Sequence, residues 1–268
     1  LSRTRRIVGF LSKTWKFAMD RRQFIRQFGN FGACAAWPAA AMASTREVTS
    51  WETLVKGNTA VIAVGGIQRA VFEEPPPKLM PRPRFIAINT RQRTNYRLCV
   101  DRYLEVGEGP EAPATMDDAM QCARAAVGNI EEAVRGVELA FVIVGLGGAA
   151  GSGITPVLAD VLRRQGALTF AHAVVPFGWE GPRHARDADR ALSMLLPKVN
   201  ALIAVSNDRW ADSAGDEASL SSVLAMAPQA FWAACRHTLA CPDAPTVARD
   251  WATIVEPRRF LAPTGTPA

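Results

Sequence analysis

The chain has 268 residues, 49% of them hydrophobic, and a formal net charge of +6, enough for one large α/β domain with a sizeable core and a modest appendage. The charge is local: residues 1–28 carry eight Arg or Lys against Asp20 alone, and the remainder holds 23 basic against 24 acidic residues, which excludes an electrostatic footprint for nucleic acid there. Cys34, Cys99, Cys122, Cys235 and Cys241 form no CxxC pair and, with His172, His184 and His237, no metal-ligand spacing, so buried reduced thiols and no metal centre are expected.

Residues 1–54 read as a basic leader separate from the domain expected over 55–268. Ile7, Leu11, Trp15 and Ala18 share a helical face among Arg and Lys, a pattern suited to contact with a membrane surface. From Met19, Arg21-Arg22-Gln23-Phe24-Ile25 resembles a twin-arginine export signal, and Ala41-Met42-Ala43 offers a small-x-small cleavage site. No segment is apolar for long enough to span a bilayer.

Thr59 to Val64 reads as a short buried strand followed by Gly65-Gly66. Pro75-Pro76-Pro77, Pro81 and Pro83 exclude a regular helix after it. Phe85 to Ile88 reads as the next strand, and Val106 to Thr115 as a loop. Thr115-Met116-Asp117-Asp118 predicts a capping box opening a helix to about Gly136, with Met120, Ala123, Val127, Ile130 and Val134 inward.

The densest signal runs from Glu138 to Gly181. Leu139 to Val144 is an uninterrupted apolar run, the mark of a strand buried on both faces. Glycines 145, 147, 148, 151 and 153 follow, and Thr155-Pro156 is expected to open a helix with Val157, Leu158, Val161 and Leu162 on one face, ended by Gly166. A parallel strand from Leu168 to Val175 completes a right-handed β-loop-α-β unit. Backbone without Cβ atoms can curl close to an oxyanion, and a helix N-terminus adds positive potential, so the loop predicts phosphate binding. Asp187 to Pro197 predicts a helix, Val199 to Val205 a buried strand, and Ser219 to Phe231 a long helix.

The succession GLGGAAGSG, TP, ALTFAHAVVPFGWEG and VNALIAVSND resembles the nucleotide-binding half of the FtsZ/tubulin family, most densely over residues 130–208. The resemblance implies a three-layer, Rossmann-like domain with a mostly parallel sheet, lacking the family's second domain. It implies GTP or GDP as ligand, with magnesium, and self-association or association with an FtsZ-type filament. Its nucleotide-binding positions fall on Gly65, Gly66, Gly147, Gly148, Gly151, Ser152, Gly153, Glu180, the ribose contact, and Asn207, which positions the nucleotide.

Departures from that pattern predict weak or no GTPase activity. Ala149 and Ala150 replace a glycine and a threonine, which removes a hydroxyl from the loop. Arg91 stands for an aspartate, Leu224 for an aromatic that stacks on the base, and Pro228 for the asparagine that reads guanine, with Gln229 on the neighbouring acid. The catalytic loop, which in the family acts on the next subunit of a filament, keeps Asp250 but has Ala248 and Thr253 in place of its asparagine and second aspartate. The resemblance implies a cytoplasmic protein of a cell-division or cytoskeletal system. One rival is an exported binding or structural protein that has lost its nucleotide. The other is a dinucleotide-dependent enzyme, since Gly145 to Ala150 fits G-x-G-x-x-A, although Val174-Val175-Pro176 supply no acid after the following strand.

Overall fold

Strand β1 (Thr59–Val64) is buried at all six positions because the sheet around it is covered on both faces. It pairs with β2 (Arg84–Asn89), which pairs with the short edge strand β3 (Arg102–Glu105). On its other side stand β4 (Leu139–Gly145), β5 (Leu168–Val175), β6 (Ala201–Ser206) and β7 (Ile254–Val255). The result is a seven-stranded sheet of order β3-β2-β1-β4-β5-β6-β7 with every pairing parallel. The computed structural model describes residues 57–73, 75, 82–90, 98–107 and 112–240 and the backbone of 254–255. The leader, Arg91 and the stretch containing Asp250 lie outside the described residues.

Two helical layers cover the sheet. On one face lie α2 (Met116–Ala125), α3 (Val127–Ala133), α4 (Ala149–Arg164) and α5 (Pro182–Leu195), where Met120, Ile130, Ile154, Leu158 and Leu195 meet Ile62, Val142, Ala171 and Leu202 in one apolar core. The opposite face is aromatic. There Phe72 of α1 (Gln68–Phe72) and Phe231 and Trp232 of α7 (Leu220–Ala240) join Phe85 in a cluster with ring centroids 5.5–6.5 Å apart, beside a stacked Phe141–Phe170 pair. The alternation of side chains along each strand sorts them between the two cores. The short helix α6 (Asn207–Ala214) follows β6 directly.

Several boundaries differ from the sequence expectation. Helix α4 starts at Ala149, inside the glycine run, and Pro156 lies in its interior. Small residues allow this early start, because the first turn is pressed against neighbouring backbone that larger side chains could not approach. The helix expected to continue to Gly136 divides at Ala126, whose φ of −92° and ψ of 17° leave the α region. Helix α5 begins at Pro182 and not Asp187, since the fixed φ of proline suits a first helical position. Strand β3 was not expected, and its single buried residue, Leu104, explains the weak sequence signal. Of the described cysteines only Cys235 is a buried thiol; Cys122 is partly covered and Cys99 is exposed.

Candidate functional site

From β1 the sheet winds one way through β2 and β3, and from β4 it winds the other way through β5 and β6. The crevice of such a sheet opens at the carboxyl ends of the two strands flanking the reversal. Here those strands are β1, which runs directly into Gly65, and β4, which ends in Gly145. The β1 loop is a tight turn over Gly65–Ile67 in which Gly65 takes a φ of 75°. A Cβ on Gly65 would lie 3.0 Å from the backbone nitrogen of Gly151, so the two glycine loops meet backbone against backbone. Gly66 is exposed, with open space where a Cβ would stand.

The β4 loop is shaped by three further close approaches. Gly147, at a φ of 92°, has Pro176 and His184 within 3.0–3.2 Å of its would-be Cβ. A Cβ on Gly151 would overlap the carbonyl oxygen of Gly145, and one on Gly153 would lie 2.5 Å from the carbonyl oxygen of Met116, at the seam between α4 and α2. Gly148 is different: exposed, extended at φ −81° and ψ 157°, and with nothing within 4 Å of its would-be Cβ. It stands at the N-cap of α4, where no side chain caps the helix. The first-turn N–H groups are beyond the reach of any helical carbonyl, and Gly148 beside them is open.

The hydroxyls expected at this loop point inward. Ser152 is fully buried and its Oγ accepts the Gly147 N–H at 2.9 Å, while the Thr155 hydroxyl donates to the Gly151 carbonyl at 2.8 Å. Ser152 therefore holds the loop's shape, and what the loop presents outward is backbone.

The β5 loop walls the crevice. The Phe177 N–H donates to Glu180 Oε1 at 2.7 Å, so one carboxylate oxygen of Glu180 is committed to its own turn. The Gly178 N–H donates to Asp208 Oδ2 at 2.9 Å, which ties this loop to the start of α6. His184 Nδ1 lies 2.9 Å from the Glu180 carbonyl oxygen. At the end of β6, Ser206 caps α6 by accepting the Arg209 N–H at 3.3 Å. Asn207, the first residue of that helix, is 8% exposed, and its Oδ1 has no hydrogen-bond partner among the described residues. A buried amide oxygen without a partner is costly unless something else completes it, and a ligand in the crevice is one means of doing so.

Farther from the crevice, Arg190 pairs with Asp117 at 2.7 Å and holds its carboxyl below the usual range, and Arg183 donates to the Ala114 carbonyl at 2.8 Å. These bonds tie α5 to the start of α2. On α7, Pro228 is buried toward the sheet while Leu224 and Gln229 are exposed. The structure brings Gly65, Gly147, Gly148, Gly151, Ser152 and Glu180 into one loop system with Asn207 beside it, and shows Gly153 to be a packing glycine. Sequence reasoning missed Asp208 as the anchor of Gly178, although the Asn-Asp pair at a strand end is a fair signal for a helix start.

A nucleotide fits these groups: two glycine loops in backbone contact, a helix N-terminus that no side chain caps, and a buried amide oxygen without a partner among the described residues. Among the described residues no cluster of three His, Cys, Asp or Glu could hold a metal ion. No described helix is long and apolar enough to cross a membrane. The G-x-G-x-x-A run follows β4, not the first strand that carries the dinucleotide fingerprint in a Rossmann domain, and so gives that rival no support.

The family described as Tubulin/FtsZ family, GTPase domain, matches residues 65–215. The cell division protein FtsZ of Pseudomonas putida is 31% identical over 156 residues, covering 57% of this chain and 39% of its own length. That of Pseudomonas aeruginosa is 30% identical over 156 residues, covering 57% of this chain and 40% of its own length. Among solved structures, an empty FtsZ dimer from M. jannaschii superposes with a TM-score of 0.61 at 22% identity, over 70% of this chain and 55% of that one. CetZ2 from Haloferax volcanii, solved as a GTPγS-bound protofilament, does so with a TM-score of 0.58 at 21% identity, over 68% and 58% of the two chains. The chain thus spans about two-fifths of the length of the curated relatives it matches.

Proposed function

Because the chain belongs to the tubulin/FtsZ family by its GTPase domain, we propose that it binds GTP or GDP at the crevice between β1 and β4, hydrolyses GTP weakly or not at all, and acts in the cytoplasm by associating with an FtsZ-type filament. The observation that carries this reading is the meeting of two glycine loops at the sheet's reversal, with the uncapped first turn of α4 open beside exposed Gly148. Backbone N–H groups and the helix dipole supply an anion site that needs no side-chain hydroxyl. Asn207 supplies an amide oxygen for a nucleoside donor, and the second oxygen of Glu180 a contact for a ribose hydroxyl. Gly66 extends the cradle from the β1 side.

Weak turnover follows from what surrounds Asp250: Ala248 and Thr253 cannot polarise water as carboxamide and carboxylate would. Ala150 likewise brings no hydroxyl to the phosphate loop. Titration calorimetry of the full chain with GTP, GDP and ATP, with and without magnesium, tests the binding. Micromolar binding of the guanine nucleotides is expected, with phosphate release near background and co-sedimentation with polymerised FtsZ. No binding of any of the three at millimolar concentration overturns the reading.

A further inference from the structure

Trp179 is the most exposed large apolar side chain among the described residues, at 71%. A lone exposed tryptophan on a mobile tip would carry no meaning. This one is built as a platform. Its indole stacks on the Phe177 ring with centroids 4.9 Å apart and planes 20° from parallel, so one face is covered and the other is open. The backbone beneath is fixed on both sides of the ring by the Phe177 N–H to Glu180 bond at 2.7 Å and the Gly178 N–H to Asp208 bond at 2.9 Å. The same loop abuts Gly147 through Pro176, and reaches the residue next to Asn207 through Asp208. The loop that carries this rigid aromatic ring therefore touches the glycine cradle at one end and the neighbour of the unpartnered Asn207 oxygen at the other.

We infer that the free face of Trp179 stacks on the base of the nucleotide whose phosphates occupy the glycine cradle. The inference rests on the nucleotide reading of that cradle. Stacking is tolerant of base identity, because every base presents a π face, and it requires a flat partner held still. Phe177 meets the second need by occupying the opposite face of the indole. Trp179 accordingly contributes affinity for purine nucleotides in general, without discriminating guanine from adenine.

The test is calorimetric titration of the full chain and of Trp179→Ala and Trp179→Phe with GDP, ADP and tripolyphosphate, which has no base. Trp179→Ala is expected to weaken GDP and ADP by about tenfold each, as loss of one stacked base does, and to leave tripolyphosphate within about twofold. Trp179→Phe, which keeps a flat ring, should retain GDP to within about threefold. An exposed position predicts a thermal midpoint unchanged within about 2 °C for both variants. Unchanged GDP affinity in Trp179→Ala, or an equal loss for tripolyphosphate, overturns the stacking role while the cradle reading stands. Failure of the unmodified chain to bind any of the three probes overturns both.

Discussion

The loops after β4 and β5 lie side by side and are held by opposite means. The β4 loop is fixed by absent atoms: Gly151 against the Gly145 carbonyl, Gly153 against α2, Gly147 against Pro176 and His184. The β5 loop is fixed by two carboxylates, Glu180 and Asp208, that accept the N–H groups of Phe177 and Gly178. A loop shaped by excluded volume tolerates almost no enlargement, and a loop shaped by hydrogen bonds loosens by degrees. The first suits a rigid anion cradle, the second a wall whose position other residues can adjust.

The strongest way to break this contrast is Gly151→Ala. The added methyl would enter the Gly145 carbonyl, and backbone on both sides cannot yield cheaply. Loss of about 4 kcal/mol or more is expected, read as failure to fold or a collapsed denaturation midpoint. A midpoint near that of the unmodified chain would show that Gly151 does not lie against the Gly145 carbonyl.

The next effect is on pH dependence, and it lies under the β5 loop. His172 sits in the middle of β5 between Ile143 and Ile203, 6.1 Å from the Phe231 ring, with both ring nitrogens unpartnered among the described residues. Burial lowers its pKa from 6.5 to about 4. The fold thus favours the neutral ring, so its contribution is fully present above pH 6.5 and is lost as pH falls toward 4. That difference corresponds to about 3 kcal/mol. Chemical denaturation from pH 7.5 to 4 should show the loss, and His172→Leu should remove most of it. An identical acid limb in that variant would assign the pH dependence elsewhere.

Asp208→Ala should act on the wall alone. It frees the Gly178 N–H at a partly exposed bond, which predicts a loss of about 1 kcal/mol and faster amide exchange over residues 177–181. Exchange at Gly147 should stay unchanged, since Ser152 holds that amide. The smallest effect belongs to Gly148→Ala. With no atom within 4 Å and an ordinary extended φ, this substitution should alter stability by less than about 0.5 kcal/mol. A large loss there would show Gly148 to be packed, and the loop closed where it is described as open.

Much of this was legible in the sequence. The six-residue apolar runs of β1 and β4 can satisfy their backbone and bury both faces only inside a covered parallel sheet, so the α/β class followed from pattern alone. The order of glycines, Thr-Pro and strands carried the family. The extent of α4 was not legible, because Thr155-Pro156 is a good helix start and nothing local says that five small residues before it will also wind.

What each glycine does was decided only by tertiary structure. Gly148 and Gly153 are the same residue in a glycine-rich run, yet one borders open crevice and the other is pressed onto a helix more than thirty residues earlier in the chain. The same holds for Ser152, whose hydroxyl the resemblance directs at a phosphate and the fold turns onto Gly147. Local sequence determines which conformations the backbone can adopt. Which atoms then occupy the space beside it depends on chain brought from far away, and that is where cradle, packing seam and wall part company.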